Sequence, residues 1–187
     1  MKTKALLMSV AAFLSFGNIA FASFDSDYCN AEFNELRREV YLKQGVDKNV
    51  LARALLYCEK ACNLNEGSGC TRFGRLYYQG LGVKQDYQQA KTYYEKACSL
   101  NDKVGCARLG RLYANGQGAK QDYKQAKTYY EIACHNSDEG TGCLALGYLH
   151  DRVFGLRGIA IDYHRIACDE GLQDGCKEYR KLKAQGY

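Results

Sequence analysis

The sequence predicts an all-α fold, an αα-hairpin solenoid, and three observations support this. Residues 69–98 and 105–134 agree at 22 of 30 positions, so one unit is written more than once. Each copy contains two stretches whose apolar residues recur at helical spacing. The chain of 187 residues contains no proline, so the strongest helix breaker is absent. A helix of about eleven residues cannot bury its apolar face alone, whereas stacked pairs can. A single globular helical bundle is the alternative, and it gives no reason for the fixed period.

Residues 1–22 form a separate element. Lys2 and Lys4 make a positive start, Ala5 to Phe16 is an apolar run, and Ala20-Phe21-Ala22 is a small-x-small cleavage site. This is the layout of a signal peptide cut near Ala22. The run is short of the ~20 residues that span a bilayer. Residues 23–187 are therefore expected to be a single solenoid without a membrane span, secreted or periplasmic.

All ten cysteines lie in residues 23–187, and in an oxidising compartment an even number reads as a disulfide framework. Zinc would need two closely spaced pairs, and only Cys58-x-x-x-Cys62 has that spacing, so no metal is expected. Cys62, Cys98 and Cys134 lie 36 residues apart, and Cys168 follows after 34. Cys70, Cys106, Cys143 and Cys176 keep the same beat, with spacings of 36, 37 and 33. Many pairings are possible, but the repeat singles out Cys62–Cys70, Cys98–Cys106, Cys134–Cys143 and Cys168–Cys176. Cys29 is then left with Cys58. Each short bridge spans the turn from a second helix to the next first helix and contributes about 2–3 kcal/mol in the chain-entropy model.

The units follow in order. An N-terminal capping unit, 23–62, holds helices near 28–44 and 49–62, with Cys58 where later units have Tyr94 and Tyr130. Repeats follow at about 63–98, 99–134 and 135–168. In their first helices Cys70, Phe73, Gly74 and Tyr77 recur as Cys106, Leu109, Gly110 and Tyr113, an i, i+3, i+4, i+7 stripe. The internal glycine predicts close approach of a neighbouring backbone. Gly80-x-Gly82 and Gly116-x-Gly118 end these helices, and Asp86 and Asp122 cap the second ones. Ala90, Tyr94 and Ala97, repeated as Ala126, Tyr130 and Ala133, form the second stripe. The last repeat reads "HDRVFGLRGI" between Leu149 and Ala160, without the double glycine or the aspartate, and predicts a shorter hairpin loop. The C-terminal capping unit, 169–187, holds one helix, Cys176 to Gln185, rich in Lys and Arg.

These residues resemble a known family. Leu109-Gly110-x-x-Tyr113 and Phe73-Gly74-x-x-Tyr77 look like the first-helix signature of tetratricopeptide repeats. The glycine-rich loop, the 36-residue period and "AKTYYEKAC" are closer to the related Sel-1-like repeats. The Cys-x7-Cys bracket is similar to that of the cysteine-rich Sel-1-like proteins of the Helicobacter type. The resemblance implies an exported, disulfide-linked αα-solenoid. Several members are associated with penicillin binding and slow β-lactam hydrolysis, and Sel-1-like repeats more broadly serve as interaction scaffolds.

The chemistry visible in the residues is sparse. A serine β-lactamase needs Ser-x-x-Lys and a Lys-Thr-Gly relative. None of Ser23, Ser26, Ser68, Ser99 and Ser137 has lysine three residues on, and Lys91 and Lys127 open Lys-Thr-Tyr instead. The histidines are His135, His150 and His164. His150 replaces Tyr113 and His164 replaces Tyr130, so both read as packing residues; His135 reads as solvated. A proton-transfer role for His150 with Asp151 or Asp162 is the sharper alternative. No cofactor is expected. Residues 23–187 carry 24 basic and 21 acidic side chains, too balanced to indicate nucleic acid.

One constellation points to binding. Arg72, Arg75 and Gln79 fall at i, i+3, i+7 and recur as Arg108, Arg111 and Asn115, away from the buried stripe. They predict a polar ladder on a concave face, where four guanidiniums with neighbouring amides suit carboxylates. Tyr78 and Tyr148 lie nearest this ladder; most other tyrosines read as core. The bland reading is a solvated face with ion pairs to Glu95 or Asp102. Three functions follow: a binding protein for a carboxylate-bearing peptide, cell-wall fragment or β-lactam; a weak β-lactamase, as the resemblance implies; or a secreted protein acting on a host or periplasmic partner.

Overall fold

The computed structural model describes residues 27–36, 47–134 and 140–187. The expected leader, the remainder of the first capping helix and His135 lie outside the described residues. Helix α1 covers 27–36. It is followed by α2 (Lys48–Asn63), α3 (Gly67–Gln79), α4 (Tyr87–Ser99), α5 (Lys103–Asn115), α6 (Tyr123–Cys134), α7 (Thr141–Arg152), α8 (Arg157–Asp169) and α9 (Gln173–Ala184). There is no strand among the described residues. Among them, too, no helix is long and apolar enough to cross a membrane.

Local signals set the helix ends. The Asp86 carboxylate accepts from the N–H groups of Gln88 and Gln89 at 2.9 and 3.0 Å. Asp122 accepts from Lys124 and Gln125 at the same distances. These caps satisfy donors that the first helical turn leaves open. Helices α3 and α5 end at Gly80 and Gly116, whose φ values of 69° and 67° are left-handed and favour glycine. In the last hairpin α7 and α8 are joined by residues 153–156 alone, and Leu156 stands at the N-cap without a side-chain acceptor.

Pairs α3/α4, α5/α6 and α7/α8 pack as hairpins, and α2, α4, α6 and α8 each pack on the first helix that follows. The first helices α3, α5 and α7 also touch directly along the stack. The core is shared between units. Ala90 and Tyr94 of α4 are buried with Leu109 and Leu112 of α5, and Ala126 and Tyr130 of α6 with Leu146 and Leu149 of α7. Neighbours supply each hairpin's core, as the repetition requires. Five disulfides join Cys29–Cys58, Cys62–Cys70, Cys98–Cys106, Cys134–Cys143 and Cys168–Cys176, with Cα atoms 4.4–4.7 Å apart. No cysteine is free.

At the internal glycines the closest approach comes from a side chain. A methyl group on Gly74 would lie 2.8 Å from the Tyr94 ring, and one on Gly110 would lie 2.7 Å from the Tyr130 ring. Gly147 meets the His164 ring in the same way, at 2.5 Å. The nearest neighbour is an aromatic ring of the hairpin partner, and at Gly110 the Ala126 carbonyl oxygen follows at 3.1 Å. Close backbone approaches also occur at Gly69, Gly142 and Gly175, each the residue before a second cysteine, whereas Gly105 meets the side chains of Ala97 and Thr71. A methyl on Gly69 would lie 3.0 Å from the Cys62 nitrogen, and one on Gly175 would lie 2.9 Å from the Ala167 carbonyl carbon. Arg180 of α9 holds the place of Gly110, so that helix offers no slot for a further ring.

Candidate ligand-binding face

Along α3, Ser68, Thr71, Arg72 and Arg75 occupy one helical stripe; along α5 the matching stripe is Val104, Ala107, Arg108 and Arg111. On α7 it continues as Thr141, Leu144, Ala145 and Tyr148. Because α3, α5 and α7 touch, the three stripes bound two grooves. The first, of about 260 Å³, is lined by Phe33 and Asn34 of α1, the α3 stripe, Asp102, Val104 and Arg108. The second, of about 220 Å³, is lined by Val104, Ala107, Arg108, Arg111, Tyr130, Thr141 and Ala145. Val104 and Arg108 form the wall between them. The first groove is guanidinium-rich and the second is walled mainly by aliphatic groups.

Aromatic rings and short hydrogen bonds hold the cations. The Arg72 guanidinium donates to the Ser68 carbonyl at 3.1 Å, and Arg75 Nε donates to Gln79 Oε1 at 3.1 Å. The Arg75 guanidinium lies 4.9 Å from the centre of the Phe33 ring, and Arg111 lies 4.8 Å from that of Tyr78. Each arginine thus rests on an aromatic ring of the preceding first helix, an attraction worth about 0.5–1 kcal/mol at exposed sites. The Tyr78 hydroxyl donates to Gln117 Oε1 at 3.3 Å, and Asn115 Nδ2 donates to the same oxygen at 3.2 Å. Among the described residues, Asp102 is the acid lining the first groove. Its Oδ1 accepts from the Gly105 N–H at 2.6 Å and from the Thr71 hydroxyl at 3.0 Å. Glu95 instead takes Lys91 at 2.6 Å within its own helix.

Beneath the arginines lies the Tyr94 hydroxyl, fully buried and without a hydrogen bond among the described residues. Burial pushes this phenol up to about 12, while the positive charges of Arg108, Arg111 and Arg75 pull the other way. Tyr130 is likewise raised to about 12 by burial, with Arg111 opposing.

Of the residues singled out in the sequence, Arg72, Arg75, Arg108 and Arg111 come together on this face. Tyr78 supports Arg111 from below, while Gln79 and Asn115 are exposed and line neither groove. Tyr148 stands apart, at 5.2 Å from the His164 ring and with the Arg152 guanidinium 4.4 Å above it. Sequence reasoning missed Ser68, Thr71, Val104, Ala107, Thr141 and Ala145. They share an i, i+3, i+4, i+7 relation with the arginines and could have been found by extending the ladder towards the N-terminus of each helix.

His164 is fully buried against Gly147, and His150 is buried and stacked on Tyr163 at 5.4 Å. Neither lies in the grooves. Asp151 is engaged by Arg157 at 3.1 Å. No lysine or histidine is among the described residues lining the two grooves, and no cluster of His, Cys, Asp or Glu among the described residues could hold a metal ion. The face sets a guanidinium-rich groove beside a more apolar one.

Comparison with known proteins agrees with this architecture. Residues 40–66, 68–102 and 104–138, together more than half of the chain, match the family described as Sel1 repeat. HcpC of Helicobacter pylori is 51% identical over 37 residues, which cover 20% of this chain and 13% of the relative. Beta-lactamase HcpA of the same organism is 43% identical over 47 residues, 25% of this chain and 19% of the relative. The matches therefore span less than a fifth of those relatives' lengths. Among solved structures, a Sel1 repeat protein from Oxalobacter formigenes superposes with a TM-score of 0.64 at 27% identity, covering 82% of this chain and 63% of that one.

Proposed function

The chain belongs to the Sel1 repeat family and is of the Hcp type, and from that premise we propose an exported binding protein that takes a carboxylate-bearing peptide or cell-wall fragment. Sel1 repeats are protein-interaction modules. The observation behind the ligand class is that Arg72, Arg75 and Arg108 line one groove, where the described acid, Asp102, caps α5. Guanidiniums bind carboxylates through paired, charge-assisted hydrogen bonds. Export to an oxidising compartment is supported by the five disulfides, and leader removal near Ala22 rests on the sequence layout alone.

The test is the affinity of peptides with a free C-terminal carboxylate, compared with the same peptides amidated, for the oxidised chain. The Arg72→Ala/Arg108→Ala variant is measured beside it. Preference for the free carboxylate that disappears in the variant supports the reading; equal affinity for both peptides, or equal affinity in the variant, rejects it.

A second reading, weak β-lactam hydrolysis, is favoured by the name of the relative HcpA and by the carboxylate of β-lactam antibiotics, which suits the same groove. It is tested by turnover of penicillin and cephalosporin substrates, with an active-fraction titration to exclude a contaminating enzyme. Action on a host or periplasmic partner would use the same face.

A further inference from the structure

The turn of the last hairpin departs from its counterparts in chemistry as well as in length. At Lys84, Asp86 and Gln89, and again at Lys120, Asp122 and Gln125, the repeat is polar. The same places in the last hairpin hold Phe154, Leu156 and Ile159, which are 37%, 46% and 44% exposed, with Val153 beside them at 41%. Two units fold with polar groups at these points, so the fold does not demand apolar ones. An exposed apolar cluster is then retained for contact with something else.

The cluster also stands clear of the stack. Gly82 of the α3–α4 turn sits against Leu55 and Leu51, and Gly118 of the α5–α6 turn sits against the Tyr87 carbonyl. Gly155 and Gly158 have nothing within 4 Å of the point a methyl group would occupy. Phe154 rests edge-on against the His150 ring at 5.5 Å, and Val153, Leu156 and Ile159 are exposed beside it. They form a knob rather than a groove.

Exposed cations lie on the adjoining helix ends. The C-termini of α7 and α9 and the N-terminus of α8 share this end, and Tyr187 reaches Arg157, its ring centre 5.8 Å from the guanidinium. Arg152, Arg157 and Lys183 are exposed here, and the nearby acid Asp151 is bound by Arg157. Leu156 replaces the capping aspartate, so no side chain takes up the first N–H groups of α8. Four exposed apolar side chains cover far less than the ~800 Å² per partner of a standard protein interface, which argues against a second copy of this chain.

We propose that this end docks on an anionic lipid surface, with Val153, Phe154, Leu156 and Ile159 entering the headgroup boundary and Arg152, Arg157 and Lys183 meeting the phosphates. An exposed apolar tip with Arg152, Arg157 and Lys183 exposed on the adjoining helix ends, and an exposed tyrosine among them, suits the layered polarity of a bilayer interface. The solenoid would then be held by its C-terminal end, leaving the first-helix grooves open to solvent.

The test is co-sedimentation of the purified, oxidised chain with phosphatidylcholine vesicles, with and without a minority of phosphatidylglycerol. The comparison protein carries Phe154→Ser, Leu156→Asp and Ile159→Gln. Leu156→Asp supplies the cap that Asp86 and Asp122 supply elsewhere, so this variant is expected to melt no lower than the parent. Sedimentation with anionic vesicles, weakened roughly tenfold or more in the variant, is the expected result. No sedimentation of the parent, or undiminished sedimentation of the variant, overturns the proposal. The chain has no tryptophan, so Phe154→Trp provides a second readout. Its emission should shift to the blue on adding anionic vesicles, and an unchanged spectrum points to a protein partner instead.

Discussion

The Tyr94 ring lies directly over Gly74, so close that a single methyl group there would come within 2.8 Å of it. Tyr94 is fully buried, so a shift of its ring would disturb the core around it. Gly74→Ala should therefore destabilise the protein by about 1–3 kcal/mol through overpacking, despite alanine's better helix propensity. Chemical denaturation of the oxidised chain measures it. A gain in stability would show that the ring has room to shift.

In the last hairpin that ring is His164, fully buried, with neither nitrogen hydrogen-bonded among the described residues. Burial lowers its basicity and Arg152 and Lys181 reinforce this, while Glu178 and Asp151 oppose it. His150 is also lowered, by burial and Lys127, with Glu131 opposing. A depressed imidazole contributes stability that is present above about pH 6.5 and is lost as pH falls through the folded-state value. His164→Tyr restores the residue of the other repeats and should reduce the fall in Tm between neutral and mildly acidic pH. An identical fall in parent and variant would assign acid sensitivity to other groups.

Tyr94 and Tyr130 should ionise late. Both are raised by burial to about 12, above the ordinary phenol. A raised phenol contributes stability that is complete below about pH 10 and disappears as pH climbs towards the folded-state value. Ultraviolet titration should separate a group of ordinary tyrosines from a late-ionising set. Loss of the late set in the Tyr94→Phe/Tyr130→Phe variant would identify it.

Arg111 is held over Tyr78, and Arg108 divides the two grooves. Arg108→Ala should weaken a free-carboxylate peptide roughly tenfold to a hundredfold, the range for a charge-assisted hydrogen bond. Tyr78→Ala should weaken it less, by loosening Arg111. Equal losses would mean that Tyr78 itself touches the ligand.

Replacing Cys98 and Cys106 together by serine opens a bridge between residues eight apart. A loss of about 2–3 kcal/mol is expected from the chain-entropy model. The comparison of denaturation midpoints should be made with the other four bridges intact.

The solenoid was legible in the sequence because its signals are local and repeated. Asp86 and Asp122 announce helix starts, Gly80 and Gly116 announce ends, and a recurring cysteine marks every junction. The glycine at 74 was legible as a close approach but not as a slot for Tyr94, since the two residues meet only when the hairpin closes. The arginines were legible as a surface stripe. Their division between two grooves was not, because it depends on how α5 is set against α3 and α7. The supports Phe33 under Arg75 and Tyr78 under Arg111 lie on the preceding helix, and no spacing within one helix reveals them. Tyr148 keeps the register of the stripe, and its ring lies between His164 and the Arg152 guanidinium.

Every described disulfide that follows the repeat joins the end of a second helix to the start of the next first helix, and none closes a hairpin turn. Pulled from its ends, such a chain would surrender length only by opening hairpins, because each bridge short-circuits the residues between its cysteines. A single protease cut in residues 80–86 or 116–122 would part the chain into two pieces held by packing alone. A cut between Cys98 and Cys106 would leave it one molecule until a reductant is added. The hairpin tips are therefore the points at which this otherwise cross-linked rod can be dismantled.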